Sequence, residues 1–278
     1  MGNELSRRGF LAAGASVALA AAGCSAETPQ PGPPAAPPPV KPAALTAAVT
    51  VERVVSAARN QTVDLVFMVP DGVPATDLPV CLALHGRGAN ARNFLTLGLP
   101  QALTQVVRDG TPPFAVVAID GDHYWVETEP GDDPQRMLST ELPSWLANRN
   151  LKQPSAVFGI SMGAFGALRY ARDHRDLRVA TACSPALFTS WGDAKARKVF
   201  KTREEWEANE PLLHLDELKP MPLGVWCGNG DPFVKAARKL AQGAAPAESA
   251  FAPGGHTDKY WKQVMPDILA FTGKHLRR

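Results

Sequence analysis

Residues 155–173 read Ser-Ala-Val-Phe-Gly-Ile-Ser-Met-Gly-Ala-Phe-Gly-Ala-Leu-Arg-Tyr-Ala-Arg-Asp. The first part, 155–160, is a short, almost continuous apolar run, as in a strand buried on both faces. The second, 162–173, spaces its apolar residues as a helix does. Passing from strand to helix within one residue needs a very tight turn. Side chains at 159 and 163 would strike neighbouring backbone there, and both positions are glycine. Ser161 stands at the apex, so its hydroxyl is thrust out of the strand, as a nucleophile's would be.

The same alternation extends to both sides. Apolar runs at 79–85, 114–120, 179–186, 223–228 and 248–252 read as further strands. Helical patterns fall at 99–108, 135–148, 234–242 and 259–275, and Pro143 marks a kink or restart in the second of these. Ahead of them, 50–58 and 62–69 read as a hairpin turning at Arg59-Asn60-Gln61. A hairpin followed by β-α repeats predicts a mostly parallel, doubly wound α/β sheet of about eight strands with helices on both faces. It would occupy 46–278 as one domain. Residues 188–219 break the rhythm and read as a small cap insertion. Its Trp191, Phe200 and Trp206 suit either a pocket roof or the packing of a short amphipathic helix.

Composition narrows the classes. Hydrophobic residues are 45% and charged residues 20% of the 278, close to the average for a soluble globular protein. Wholesale disorder, collagen-like sequence and multi-span membrane architecture are excluded. The formal net charge is +2, and no lysine/arginine run forms the basic footprint of a nucleic-acid binder. Cys81, Cys183 and Cys227 lie in apolar runs and read as small core residues. With no paired C-x-x-C and no H-E-x-x-H, neither a structural zinc nor a zincin site is read.

A nucleophilic serine needs a base and an acid, which in this strand order follow it in the chain. Of the six histidines, His256 lies in Pro253-Gly254-Gly255-His256, a glycine-rich loop between the last strand and the last helix, from which an imidazole would reach Ser161. Asp231 follows the 223–228 strand directly, where it would accept the Nδ1 proton of His256. It would equally suit the start of a helix opened by Pro232. Asp193 and Asp216 are rivals within the insertion. Oxyanion donors are expected from the backbone N–H of Met162 and from Leu84-His85-Gly86-Arg87-Gly88, with Arg87 N–H preferred. His85 and Gly86 would border the substrate; His85 would otherwise suit a metal ligand, although its place in a glycine-rich loop favours a structural hydrogen bond. In Asp120-Gly121-Asp122-His123-Tyr124-Trp125, the Tyr124 and Trp125 rings would either wall the pocket or pack on the sheet. Glu127–Asp133 reads as a solvated loop.

These pieces carry a resemblance. Gly159-Ile160-Ser161-Met162-Gly163-Ala164-Phe165-Gly166-Ala167-Leu168, Leu84-His85-Gly86-Arg87-Gly88, Gly228-Asn229-Gly230-Asp231-Pro232-Phe233, Gly255-His256-Thr257-Asp258-Lys259-Tyr260-Trp261 and Glu141-Leu142-Pro143 look like the esterase D family of α/β-hydrolases, which also holds mycolyltransferases and feruloyl-type esterases. The likeness spans about 50–275. It implies the α/β-hydrolase fold, a Ser161–Asp231–His256 triad, oxyanion donors at Arg87 and Met162, and no cofactor. Many members have a glycine pair where this chain has Arg87-Gly88-Ala89. The implied activity is a serine esterase forming an acyl-enzyme on a small-molecule, lipid or sugar ester. An acyltransferase using a sugar acceptor, or a binding protein without catalysis, stays open at this point.

The N-terminus reads as an address. Residues 6–11 are Ser-Arg-Arg-Gly-Phe-Leu, followed by an uncharged alanine-rich stretch to Gly23, too short and weakly apolar for a stable span. This resembles a twin-arginine signal at 1–23, for export of a folded protein by that machinery. Ala21-Ala22-Gly23-Cys24 resembles a lipobox with Ala21 in place of the usual leucine, so Cys24 would be lipidated. Eight prolines fall within 29–42. At about 3.1 Å per residue such a run is a semi-rigid tether, part of 24–45, of roughly 40 Å. The expected location is the outer face of the cytoplasmic membrane, or outside the cell.

Overall fold

Eight short segments of β-branched and aliphatic residues pair into one sheet: β1 (Val49–Ser56), β2 (Gln61–Met68), β3 (Val80–Leu84), β4 (Ala115–Ile119), β5 (Pro154–Ile160), β6 (Val179–Cys183), β7 (Leu223–Gly228) and β8 (Glu248–Ala252). The computed structural model describes residues 48–127 and 129–276. The signal, Cys24 and the tether lie outside them. Among the described residues no helix is long and apolar enough to cross a membrane.

The strand order is β1-β2-β4-β3-β5-β6-β7-β8. β1 and β2 form the antiparallel hairpin, and β2 runs antiparallel to β4. From β4 through β8 every neighbouring pair is parallel. This is the α/β-hydrolase fold. The winding reverses between β3 and β5, and in such sheets the crevice beyond the strands' carboxyl ends at that reversal is the usual ligand site.

Alternation along the strands feeds two apolar layers. Leu65, Phe67, Leu82, Leu84 and Val117 face one way, against the helices Met162–Asp173 and Val234–Ala244. Val66, Met68, Cys81, Ala83 and Val116 face the other, against Leu99–Arg108 and Asp258–Leu276. Cys81, Cys183 and Cys227 are free and buried, as small core residues. Fully burying a Leu or Phe side chain contributes about 1.5–3 kcal/mol, so these layers fix the strand ends that carry the site.

The departures from the sequence reading are local. The strand expected over 179–186 stops at Cys183, because Ser184 is left-handed at φ 48° and Pro185 follows. The helix expected over 135–148 is three pieces: Pro134–Arg136, a π-helical turn at Met137–Glu141, and Leu142–Ala147 with Pro143 in its first turn. Pro143 cannot donate the bond that a continuous helix needs there. Glu141 uses its carboxylate elsewhere, accepting from the Ser56 hydroxyl and the Ala58 N–H to pin the hairpin. The acidic stretch 127–133 is not simply solvated: Asp132 pairs with the buried Arg59, and Asp133 caps Pro134–Arg136.

The insertion holds the short helices Trp191–Ala196, Arg203–Asn209 and Leu215–Leu218. Its aromatics mainly pack. Phe200 lies against Phe165 and Phe188, and Trp191 against Trp206. Glu210, fully buried, accepts from the N–H groups of Phe188 and Leu212 and from Trp206 Nε1. Burial raises its pKa to about 7, against the pull of those three donors and of Lys239.

Candidate active site

The turn after β5 is as tight as its glycines require. A Cβ on Gly159 would lie 2.1 Å from the Gly163 carbonyl oxygen, and one on Gly163 would lie 1.9 Å from that of Leu84. Ser161 itself takes φ 57°, ψ −117°, a strained conformation for a residue with a side chain. Its N–H donates to Cys183 O and its carbonyl accepts from Ala186 N–H, which fastens the turn to the end of β6.

Three side chains from three strand ends meet here. Ser161 Oγ is 2.8 Å from His256 Nε2, and His256 Nδ1 is 2.8 Å from Asp231 Oδ2. The loop after β8 brings His256 and the loop after β7 brings Asp231. Asp231 is buried and its other oxygen accepts from Phe233 N–H, so it also closes the turn that opens the next helix. Burial alone would raise its pKa. Hydrogen bonds from His256, Phe233 N–H and the Ser184 hydroxyl outweigh that and hold it below the ordinary carboxylate range. An ionised Asp231 fixes Nδ1–H as the donor on His256, which leaves Nε2 to accept the Ser161 proton.

The sequence reading did not single out Ser184. It is fully buried, its N–H donates to Trp226 O, and its hydroxyl accepts from Trp261 Nε1 at 3.0 Å. Trp261 meets the His256 ring edge-on, with centroids 5.1 Å apart. Ser184 thus joins the back of the carboxylate to the aromatic wall beside the imidazole. The signal available was a Ser-Pro step at a strand end next to the elbow strand.

The loop after β3 lies against the serine. A Cβ on Gly86 would come within 3.4 Å of Ser161 Cβ. Gly88 takes φ +74°, which turns the chain beside Arg87. Met162 N–H belongs to the first helical turn and has no acceptor within its helix. Gly86, Arg87, Tyr124, Ser161, Phe233, His256 and Trp261 border one open hollow of about 620 Å³, within the size range of small-molecule sites.

Two of the expected substrate contacts are displaced. Trp125 is fully buried. His123, Tyr124 and Trp125 are consecutively left-handed, which folds the indole back under the sheet edge. There Gly121 and Gly166 leave it a slot, since a Cβ on either would come within about 2.4 Å of the ring. His85 is also buried. Its Nε2 accepts from Gly121 N–H and its Nδ1 lies 2.9 Å from Gly86 O, an arrangement that needs Nδ1–H as donor. Burial lowers its pKa, so it is a neutral clamp between the loops after β3 and β4. Asp120, beside it, accepts from Ala91 and Asp64 N–H and ties the same loops together. Tyr124 does reach the hollow, its ring held against Phe165 and Phe188. Asp193 bonds Thr189 and Ser190, and Asp216 pairs with Lys219, so neither rival acid joins His256. Among the described residues, no group of three His, Cys, Asp or Glu side chains gathers as a metal site would.

A hydroxyl on a strained turn, a histidine and a buried carboxylate in this fold define a serine-hydrolase type of site. The chain belongs to the esterase family whose model, described as "Putative esterase", matches residues 56–272. Solved structures with the same fold include a ferulic acid esterase, at 20% identity and TM-score 0.68 over 81% of this chain and 97% of that one. An S-formylglutathione hydrolase from Agrobacterium tumefaciens aligns at 16% identity and TM-score 0.68, over 81% and 94%. The fluorophosphonate-binding serine hydrolase FphF of Staphylococcus aureus aligns at 16% and 0.65, over 81% and 98%. No curated protein sequence matches the chain.

Proposed function

We propose that the protein is a serine carboxylesterase that works through an acyl-enzyme. The observation that carries this reading is the continuous hydrogen-bonded line from Ser161 Oγ through His256 to Asp231, opening on the hollow. His256 Nε2 takes the Ser161 proton as Oγ attacks the ester carbonyl. The new Oγ–C bond leaves negative charge on the former carbonyl oxygen, and the N–H groups of Met162 and Arg87 receive it. Losing one such donor typically costs about 3–4 kcal/mol of transition-state stabilisation. As the tetrahedral species collapses, the C–O bond to the alcohol breaks and His256 returns the proton to the departing oxygen. Water, deprotonated by His256, then attacks the acyl-enzyme, releases the acid and restores Ser161.

Asp231 holds the imidazole in the working tautomer and offsets the imidazolium charge. Ser184 and Trp261 hold Asp231 and His256 in register. If an alcohol replaces water in the second half, the same residues complete an acyl transfer. Comparing products with and without sugar acceptors separates the two outcomes.

The test is turnover of a chain-length series of para-nitrophenyl esters by the purified protein and its Ser161→Ala variant. Hydrolysis that vanishes in the variant is expected. Equal turnover by both proteins would contradict the reading.

The location belongs to the same proposal and rests on the N-terminal sequence. Arg7→Lys with Arg8→Lys is expected to block export, and Cys24→Ser to release the protein from membranes. Unchanged export or unchanged membrane association would remove the corresponding claim.

A further inference from the structure

We propose that the ester cleaved at Ser161 carries a carboxylate, which Arg197 and Arg87 bind at the mouth of the hollow; this rests on the esterase reading above. Arg197 comes from the insertion and Arg87 from the loop after β3, so two separate segments bring their cations to one place. The Arg197 guanidinium lies 5.3 Å above the centre of the Phe233 ring. That ring is in turn 5.3 Å from the His256 imidazole. The cation is therefore parked on the wall beside the reacting groups.

Both arginines border the hollow that holds Ser161. Both also border an adjoining hollow of about 410 Å³, together with Tyr124 and Lys198. Tyr124 lines both hollows with them; burial raises the phenol's pKa, and both guanidinium charges act against that.

Many arginines elsewhere are spent on carboxylates, as Arg59 is on Asp132, Arg149 on Glu52 and Arg169 on Asp173, while Arg136 and Arg238 bond Ala58 O and Asn229 Oδ1 instead. Among the described residues, neither Arg87 nor Arg197 has an ion-pair partner. Asp258 borders the first hollow and Asp122 the second, so cations outnumber carboxylates around the joined space. A guanidinium resting on an aromatic face keeps its N–H edge free, and that edge matches a carboxylate through two parallel hydrogen bonds. A neutral ester makes no use of it.

The experiment uses two matched pairs of esters. Para-nitrophenyl valerate against mono-para-nitrophenyl glutarate puts the charge on the acyl side. Phenyl acetate against meta-acetoxybenzoate puts it on the alcohol side. The quantity read is the ratio of kcat/KM, charged over neutral, in wild type, Arg197→Ala, Arg87→Ala and Arg197→Lys. In one of the pairs Arg197→Ala should lower the ratio about tenfold, the effect of losing one hydrogen bond to a charged group. Arg87→Ala should lower it in the same pair, Arg197→Lys should restore part of it, and added salt should shrink it. A ratio that Arg197→Ala leaves unchanged in both pairs overturns the proposal while leaving the esterase reading intact. Absence of Ser161-dependent turnover with all four esters removes both.

Discussion

The elbow and the insertion face each other across the same hollow but are held in different ways. Around the elbow the constraint is backbone against backbone. Gly159 packs on Gly163 O and Gly163 on Leu84 O, with no room for a methyl group. The insertion is held by side chains: a cluster of Phe165, Phe188 and Phe200, and one buried glutamate serving three donors. Backbone packing places atoms to fractions of an ångström and tolerates no substitution. Side-chain packing tolerates exchange of residues of similar volume. Ser161 thus stands on the half of the hollow held by backbone contacts, and Arg197 on the half held by side chains.

Gly163→Ala attacks the rigid half and carries the largest expected effect. The added methyl would sit 1.9 Å from Leu84 O, so β3 and the elbow helix must separate. Both the reactivity of Ser161 and a stability of about 3 kcal/mol or more should be lost. Thermal unfolding together with active-site labelling checks this, and a variant with normal midpoint and labelling would break the comparison.

Asp231→Asn leaves the packing in place and removes the charge behind His256. A fall of about 10⁴ in kcat is expected, the size seen when this tautomer control is lost in serine proteases. Steady-state kinetics at unchanged melting temperature is the check.

Ser184→Ala removes one bond to Asp231 and the acceptor of Trp261 Nε1. Since the Ser184 bond helps hold the Asp231 pKa down, kcat should fall about tenfold, the scale of one hydrogen bond to a charged group, with KM little changed. The acid limb of the pH–rate profile should also move. A loss confined to stability would reduce Ser184 to a packing role.

The smallest effect on turnover belongs to the insertion. The Glu210 pKa is raised from 4.5 to about 7 by burial. A group raised on folding gives stability that is complete below its unfolded value and fades as pH rises through its folded value. The insertion should therefore be tighter near pH 4.5 than above about 7. Hydrogen exchange over 188–213, corrected for intrinsic rates, reads this directly. Glu210→Gln should flatten the pH dependence. It should also cost about 1–3 kcal/mol, because the amide NH₂ then confronts a backbone donor.

The same contrast explains what could be read from the sequence. The elbow, Asp231 and His256 were legible because backbone constraints leave residue-type marks: paired glycines, a strand pattern, an aspartate before proline. The helices 99–108 and 162–173 agree with the structure to the residue. Trp125 was not legible. Its burial depends on three consecutive left-handed residues and on Gly121 and Gly166, which lie on different elements. His85 was read both as a substrate contact and as a structural group, and only the position of Gly121 N–H decides between them. Ser184 and Asp120 act through partners on separate strands, and no local pattern reports such pairings.

The central claim is that Ser161 is an activated nucleophile. Its most direct test is covalent labelling by a fluorophosphonate, with the modified residue located by mass spectrometry, in wild type and in His256→Ala. Stoichiometric labelling of Ser161 that collapses in His256→Ala is the predicted result. An unlabelled Ser161 in the folded wild-type protein, or labelling that does not depend on His256, would contradict it.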